Sequence, residues 1–454
     1  MKNKYHNIPT YNGAFRLAGL SFGLALTMSS ASVFADLNAI PGQNGVQSAT
    51  AAVVQTICPQ MGALGGGQGT LPAGQQQLFE RCRELVQTSN AQQGAGGTGF
   101  ALDLDEAELR EALQRIAPEE VGAMASGSSD TAFNQVGSVV GRMATIRGSS
   151  IANPVAGVQW SLDPTTGGAA GDEGFSKLGL FVSATGGTGE KDRTSEEDGF
   201  EYDSYGLTIG MDYRFSDNLV GGIAIDYSST DVDLDLGYGS SENDNTGATL
   251  YGTYYAGSFY IDAVLSFGKQ DYDAQRNVAY AGNVNQALVA NTDGDSTAFS
   301  LGAGYDITSD SWSTSLFGRV QSSSADIDGF TESGGELAMM VGDQSIDSLR
   351  AVLGAQVSKT ISAGYGVWIP YIGLELHHEF DDEQRAVVSQ YVFDPTATSF
   401  SFQSDAADEN FALGNIGASL VLPHGSQMFF NYERSIGLAD VTNNVFSIGI
   451  RFEL

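Results

Sequence analysis

Ser447-Ile448-Gly449-Ile450-Arg451-Phe452-Glu453-Leu454 closes the sequence and carries its clearest fold signal. Strand side chains alternate between two faces, so Phe446, Ile448, Ile450, Phe452 and Leu454 share one face. Ser447, Gly449, Arg451 and Glu453 share the other. No later segment is expected to cover the apolar face. A soluble sheet would leave it wet, whereas an outer-membrane barrel gives it lipid and gives the polar face a lumen.

The same period of two runs from about residue 175 onward. Tyr205, Leu207, Ile209, Met211 and Tyr213 oppose Gly206, Thr208, Gly210 and Asp212. Phe259, Ile261, Ala263, Leu265 and Phe267 oppose Tyr260, Asp262 and Ser266. Leu349, Ala351, Leu353, Ala355 and Val357 oppose Arg350, Gln356 and Ser358. Twelve strands are expected, centred near residues 180, 208, 223, 251, 262, 301, 316, 352, 372, 416, 430 and 448. Short turns such as Phe215 to Asn218 and Pro423 to Ser426 should face the periplasm. Long polar loops at Thr185 to Gly199, Asp271 to Asp295 and Asp381 to Glu409 should face outward. An even strand count with sided loop lengths is the outer-membrane pattern.

Composition agrees. Mean hydropathy is only −0.10, and no run of about 18 apolar residues follows the N-terminal segment, so helical spans are not expected. The net charge of −33 repels phosphates and argues against a nucleic-acid partner. Solvated acidic loops account for it, with divalent-cation binding at loop acids as the alternative.

Residues 1–35 read as a secretory signal. Lys2, Lys4 and Arg16 precede the apolar stretch Leu17 to Met28, and Val33-Phe34-Ala35 supplies small residues for a cut after Ala35. Two cysteines remain, Cys58 and Cys82. An even count in an exported chain favours a disulfide, with free thiols as the alternative. Val53, Val54, Ile57 and Met61 surround one cysteine, and Leu78, Phe79, Leu85 and Val86 fall at helical spacing around the other, so a bridge would staple a helical hairpin.

Residues 36–130 thus form a short helical N-terminal region, broken by Gly-rich tracts at Gly62 to Gly74 and Gly94 to Gly99. One helix should begin near Asp103 as N-cap, carry Leu109, Leu113 and Ile116 on one face, and stop near Pro118. Residues 131–174 read as a linker. Within it Phe133, Val136, Val140, Met143 and Ile146 recur at helical spacing over Thr131 to Ile146. This is either an ordinary helix of a small periplasmic or surface domain or a helix threaded through a pore. Residues 175–454 form the barrel.

Catalytic chemistry is scarce. The region before the barrel has no His after His6, which lies in the expected signal. A Ser-His-Asp or Cys-His mechanism needs an imidazole, and no Gly-x-Ser-x-Gly elbow occurs there. The barrel holds His377, His378 and His424; His377 shares a face with Glu375 and Glu379, an arrangement ordinary in a lumen. Asp231, Asp233 and Asp235 read as a solvated strand end. No catalytic residue, metal or cofactor is expected.

The last ~280 residues resemble the translocator barrel of autotransporters. Ile369-Pro370-Tyr371-Ile372-Gly373-Leu374, running to Glu379-Phe380, is similar to that family's Pro-Tyr strand. Phe429-Phe430-Asn431-Tyr432-Glu433 resembles its penultimate strand and Gly210 to Phe215 its second. Ser447, Gly449, Phe452 and Leu454 occupy the positions of its barrel-assembly signal, although the family usually ends on Phe. The resemblance implies a twelve-stranded pore in a Gram-negative outer membrane, a helix crossing that pore, and dependence on the barrel-assembly complex and periplasmic chaperones. The expectation is a mainly β protein: a twelve-stranded antiparallel transmembrane β-barrel after a small disulfide-stapled helical region. It would export or anchor its own N-terminal segment. A passive porin-like channel with a periplasmic N-terminal region, or a surface adhesion module of unidentified ligand, are the alternatives.

Overall fold

The computed structural model describes residues 36–151, 177–281, 283–422 and 426–453. The expected signal, the linker beyond residue 151, His424 and Leu454 lie outside the described residues.

Four helices come first: α1 (Gly45–Ala63), α2 (Ala73–Gln92), α3 (Glu106–Ile116) and α4 (Glu120–Ile151). Seven long strands follow: β1 (Leu178–Lys191), β2 (Phe200–Ser216), β3 (Leu219–Leu234), β4 (Gly239–Ala256), β5 (Phe259–Tyr280), β6 (Val284–Ser309) and β7 (Trp312–Ile327). After two short strands, β8 (Phe330–Thr331) and β9 (Met339–Val341), comes β10 (Gln344–Lys359). Short β11 (Ile361–Ala363) precedes β12 (Gly366–Glu379), and β13 (Ala386–Tyr391) and β14 (Ser399–Gln403) follow. β15 (Asn410–Val421), β16 (Gln427–Ile436) and β17 (Val441–Glu453) complete the chain.

Twelve of these strands, β1 to β7, β10, β12 and β15 to β17, form one closed antiparallel barrel. Each of the twelve expected strand centres falls inside one of them. Closure is made by β1 and β17, paired from Gly179↔Glu453 to Lys191↔Val441. Closing the sheet removes both edges, which is what lets strands cross a bilayer with every backbone group paired. The expected faces are the observed ones. Ile209 on β2 and Ile448 on β17 stay 47% and 54% exposed, as side chains that meet lipid should, while Thr208 and Asp212 are buried inside. The turn at Asp217–Asn218 is short, as expected.

The other end departs from expectation. Asp271 to Asp295 is not a loop: β5 and β6 run as a paired hairpin up to Tyr280↔Val284. The reason is an inversion of the apolar face. Near the membrane, β5 turns Phe259, Ile261 and Phe267 outward. Above Gly268 the outward positions become Lys269, Asp271, Asp273, Gln275 and Asn277. The inward positions become Tyr272, Ala274, Arg276, Val278 and Tyr280, all buried. The expected loop at Thr185 to Gly199 is shortened likewise, because β1 continues to Lys191. The loop from Asp381 to Glu409 contains β13 and β14, which join β9 and β8 in a separate four-stranded sheet.

What covers these inward apolar residues is the helical region. α1 begins with a capping box, Asn44 and Gln47 satisfying each other's backbone N–H groups at 2.8 and 3.2 Å. Cys58 of α1 and Cys82 of α2 are bridged, with Cα atoms 5.6 Å apart. α3 starts two residues later than expected, because Asp105 rather than Asp103 caps it and pairs reciprocally with Glu108. Ile57, Met61, Leu78, Leu85, Leu109, Leu113 and Ile116 form one core with Val278, Tyr280, Val284 and Leu288 of the hairpin and with Met339 and Tyr391 of the small sheet. The helical region and the long-strand end of the barrel are therefore packed as one body.

α4 starts at Glu120, not near Thr131, and runs 32 residues without a break, about 48 Å at the helical rise. The boundary expected at 130/131 falls inside it.

Candidate functional site

The lumen is the place where the chain's buried charges converge, and α4 occupies it. One face of the helix sets Val136, Val139 and Met143 against Phe181, Ala224, Tyr251, Val264 and Ala298 of the barrel wall. Further along, Ile146 packs with Val220, Tyr255 and Tyr260 beside the short-turn end. α4 thus leads from the long-strand mouth to the opposite end.

Arg142 locks this position. Its guanidinium reaches Asp212 on β2, Nε at 3.0 Å and a terminal nitrogen at 2.5 Å from Oδ2. Arg451 on the closing strand approaches Asp212 Oδ1 at 3.8 Å. Arg142 and Asp212 are 2% and 4% exposed, so the pair is desolvated. The Arg142 carbon also lies 5.6 Å from the centre of the Phe181 ring. Higher up, Arg350 stands 3.9 Å over the ring of Phe133, the first apolar residue of the expected helical run.

At the mouth a second arginine ties barrel, helical region and α4 together. Arg276 is 2% exposed. It pairs with Glu332 at 2.9 and 2.5 Å. It donates to the carbonyl of Ile116 at the end of α3 at 2.7 Å and to that of Leu337 at 3.2 Å. A cation at a helix C-terminus answers both the orphan carbonyls and the helix dipole. Glu120, in the first turn of α4, lies 3.7 Å from the same guanidinium.

Carboxylates crowd the entry of α4. Glu119 accepts hydrogen bonds from Gln114 Nε2 at 3.0 Å and from the backbone N–H of Asp198 at 3.1 Å. Asp198 pairs with Arg193 at 2.6 Å, and Lys191 holds both Glu197 and Asp405. Burial pushes the Glu119 carboxyl well above the ordinary range, with the charge of Asp198 adding to it. Burial and then Glu332 push Glu120 up to about 8 against the pull of Arg276. Burial pushes Asp198 up to about 6 despite Arg193.

The singled-out barrel residues fall as follows. His377, Glu375 and Glu379 do share the lumen face and are buried. His377 Nε2 lies 3.2 Å from Glu375 and its ring stacks on Phe411, while Glu375 is held by Arg319. Glu379 is engaged by Arg350 at 2.8 Å and by the Ser348 hydroxyl. Arg319 with Glu375 and Arg350 with Glu379 are ion pairs between strands of the barrel wall. His378 is on the outer face, bonded to Asn410 at 2.9 Å. Asp231 and Asp233 point outward into solvent, opposite Asp203 and Glu201. Ser447, Gly449 and Phe452 sit on β17 opposite Thr185, Ser183 and Leu180, with Phe452 turned outward and 45% exposed. Gly449 lies under the ring of Phe429, where a Cβ would collide.

Arg142, Arg276 and Glu120 were not singled out from sequence. Arg142 had a signal: it is the one basic residue between Glu119 and Ile146 in a stretch rich in Gly, Ser and Val. Arg276 had none, because it falls in the segment Asp271 to Asp295, expected to be a loop.

These features define a single-chain transmembrane β-barrel with a helix in its lumen. The family model for the autotransporter beta-domain matches residues 180–433, more than half of the chain, and the chain belongs to that family. Its place is accordingly the outer membrane. The fold is similar to the translocator domain of the autotransporter NalP from Neisseria meningitidis. The TM-score is 0.50 at 13% identity, covering 62% of this chain and 90% of that one. The beta domain of the Bordetella autotransporter BrkA aligns with a TM-score of 0.45 at 18% identity, covering 61% of this chain and 100% of that one. Among curated proteins, an uncharacterized protein in the trpE-trpG intergenic region of Pseudomonas putida is 27% identical over 193 residues. That alignment takes in 40% of this chain and 31% of the relative. Esterase EstA of Pseudomonas aeruginosa is 26% identical over 191 residues, 40% of this chain and 30% of its own length. The chain therefore spans about a third of the curated relatives it matches.

Proposed function

We propose that this chain is a translocator that delivers its own helical region, residues 36 to about 117, through the barrel and then holds it at the outer mouth as a fixed surface domain. The observation that carries the reading is α4. It runs through the lumen and joins the helical region to the end of the barrel where the strands are longest, and in outer-membrane barrels the longer connections face outward. The common core of helices and hairpin favours retention over release. The region 36–151 offers no histidine, so the work is mechanical rather than catalytic. Ser447, Gly449, Phe452 and Leu454 would present the finished strand to the barrel-assembly complex, with periplasmic chaperones acting before it.

The test is an epitope inserted at Gly96, in an exposed turn where an added side chain meets nothing within 4 Å. Antibody should label intact cells as strongly as lysed ones. Labelling only after the outer membrane is opened would place the helical region in the periplasm and favour the porin-like alternative.

A further inference from the structure

We infer that the outside of the barrel holds one phosphorylated lipid of the outer leaflet, with an acyl chain in a groove across β10, β12, β15 and β16 and the phosphate on Arg434. The groove has a volume of about 580 Å³ and opens toward the bilayer. Gly414 and Ala355 give it depth, and Ile372, Leu374, Ile416 and Tyr432 give it sides. Register explains the gap. Ala355, Leu374, Gly414 and Arg434 stand opposite one another across the four strands. Ile372, Ile416 and Tyr432 stand opposite one another in the next outward-facing row. Two small residues among large ones leave a trough, and Ile372, Leu374 and Ile416 are exposed along it. A hydrocarbon chain fills such a space without leaving any polar group unpaired.

Arg434 selects the headgroup. β16 has ten residues, about what a strand needs to cross the apolar band, and Arg434 is the third from its long-strand end. It faces outward beside Gly414, is exposed, and makes no ion pair among the described residues. The other cations at outward strand positions among those residues are engaged elsewhere. Lys269 faces Asp295 on the hairpin above the apolar band, and Lys359 lies over Trp312 at the short-turn end. A cation on the lipid face is tolerated near an interface and costly deeper down. There its fork of donors matches a phosphate. Asn444 stands opposite Arg434, and its Oδ1 accepts the Tyr432 hydroxyl at 2.9 Å, which leaves its NH₂ to donate to the same anion. The charge therefore favours an anionic headgroup at the end of a chain that lies in the trough. The inference rests on the long-strand mouth facing outward, not on what passes through the lumen.

Full-length protein in detergent micelles is titrated with bis-phosphorylated lipid A, with its fully dephosphorylated form and with phosphatidylglycerol, and bound lipid is read by native mass spectrometry. The protein should retain one lipid A and hold the dephosphorylated form more weakly by on the order of tenfold, the weight of one charge-assisted contact. Arg434→Gln should abolish that difference. Gly414→Leu fills the trough and should weaken both forms; a Cβ there meets only the tip of the Ile436 side chain, at 3.2 Å. Ala355→Phe fills it from β10 should Gly414→Leu not assemble. No retained lipid, equal binding with and without phosphate, or indifference to Arg434→Gln or to the filled trough would overturn the proposal. Phosphatidylglycerol held as tightly as lipid A would overturn the choice of an outer-leaflet lipid, and a lipid-free dimer would give the groove to a second copy of the chain instead.

Discussion

Arg142 of the pore helix and Asp212 of β2 form a desolvated ion pair, with Nε 3.0 Å from Oδ2, near the short-turn end of the lumen, where Asp212 lies opposite Gly179 of β1. Removing one partner of such a pair strands a buried charge, which costs about 3–5 kcal/mol. Asp212→Ala should therefore destabilise the protein more than the double change Arg142→Met/Asp212→Leu, which leaves only Arg451 to readjust. Urea titrations of detergent-refolded protein, read by the heat-modifiable band, measure both. A double mutant weaker than Asp212→Ala would show that the pair is not coupled.

Arg276 should matter for the helical region and little for the barrel. Arg276→Met leaves Glu332 and Glu120 buried without their cation and frees the carbonyl of Ile116. Residues 36–117 should become sensitive to protease at concentrations the native protein resists, while the barrel fragment stays intact. Unchanged proteolysis would mean that the apolar core alone holds the two parts together.

The carboxylates at the entry of α4 set a pH dependence. Their folded values are raised, so the stabilisation they give belongs to the protonated form. It is present in full below their ordinary range and is lost as pH rises through about 6 for Asp198 and about 8 for Glu120. Attachment of the helical region should weaken from pH 6 to 8. Amide hydrogen exchange across α3 and the first turns of α4 reports it, and Glu120→Gln should flatten the upper part of the change. A native profile flat over that interval would contradict the burial argument.

Cys58 and Cys82 close a 24-residue separation inside the common core. Loop-closure arithmetic assigns the bridge about 3 kcal/mol. Reduction, or the double change to Ser, should lower the unfolding midpoint of the helices without altering the barrel's mobility.

Phe452 separates two demands on the closing strand. It pairs with Leu180 at the short-turn end, where a charge facing the interface costs little insertion free energy. Phe452→Asp should thus refold in detergent yet fail to accumulate as barrel in cells, if the terminal strand is read during assembly. Wild-type amounts of barrel in cells would remove that role.

The sequence made the barrel legible because lipid and lumen impose a strict alternation, and Ile209 or Ile448 cannot be mistaken for interior residues. The upper part of β5 and β6 was read as loop for a physical reason. Above Gly268 the alternation persists but its apolar member changes sides, so Asp271 and Asp273 look like loop acids when they are the solvent face of a strand. Tyr272, Val278 and Tyr280 could have shown this, since three large apolar residues at even spacing need a cover. The length of α4 was underestimated because Gly, Ser and Ala carry little periodic signal; what fixes that helix is the barrel around it and the ion pair to Asp212.

The core that joins α1 to α3 with Val278, Tyr280 and Leu288 has a consequence for timing. The residues synthesised first depend for their packing on residues made roughly two hundred positions later. Without the hairpin the helices lack Val278, Tyr280 and Leu288, part of their interior. If the helical region passes through the barrel as proposed, contacts that form this late would serve as its safeguard against folding too soon.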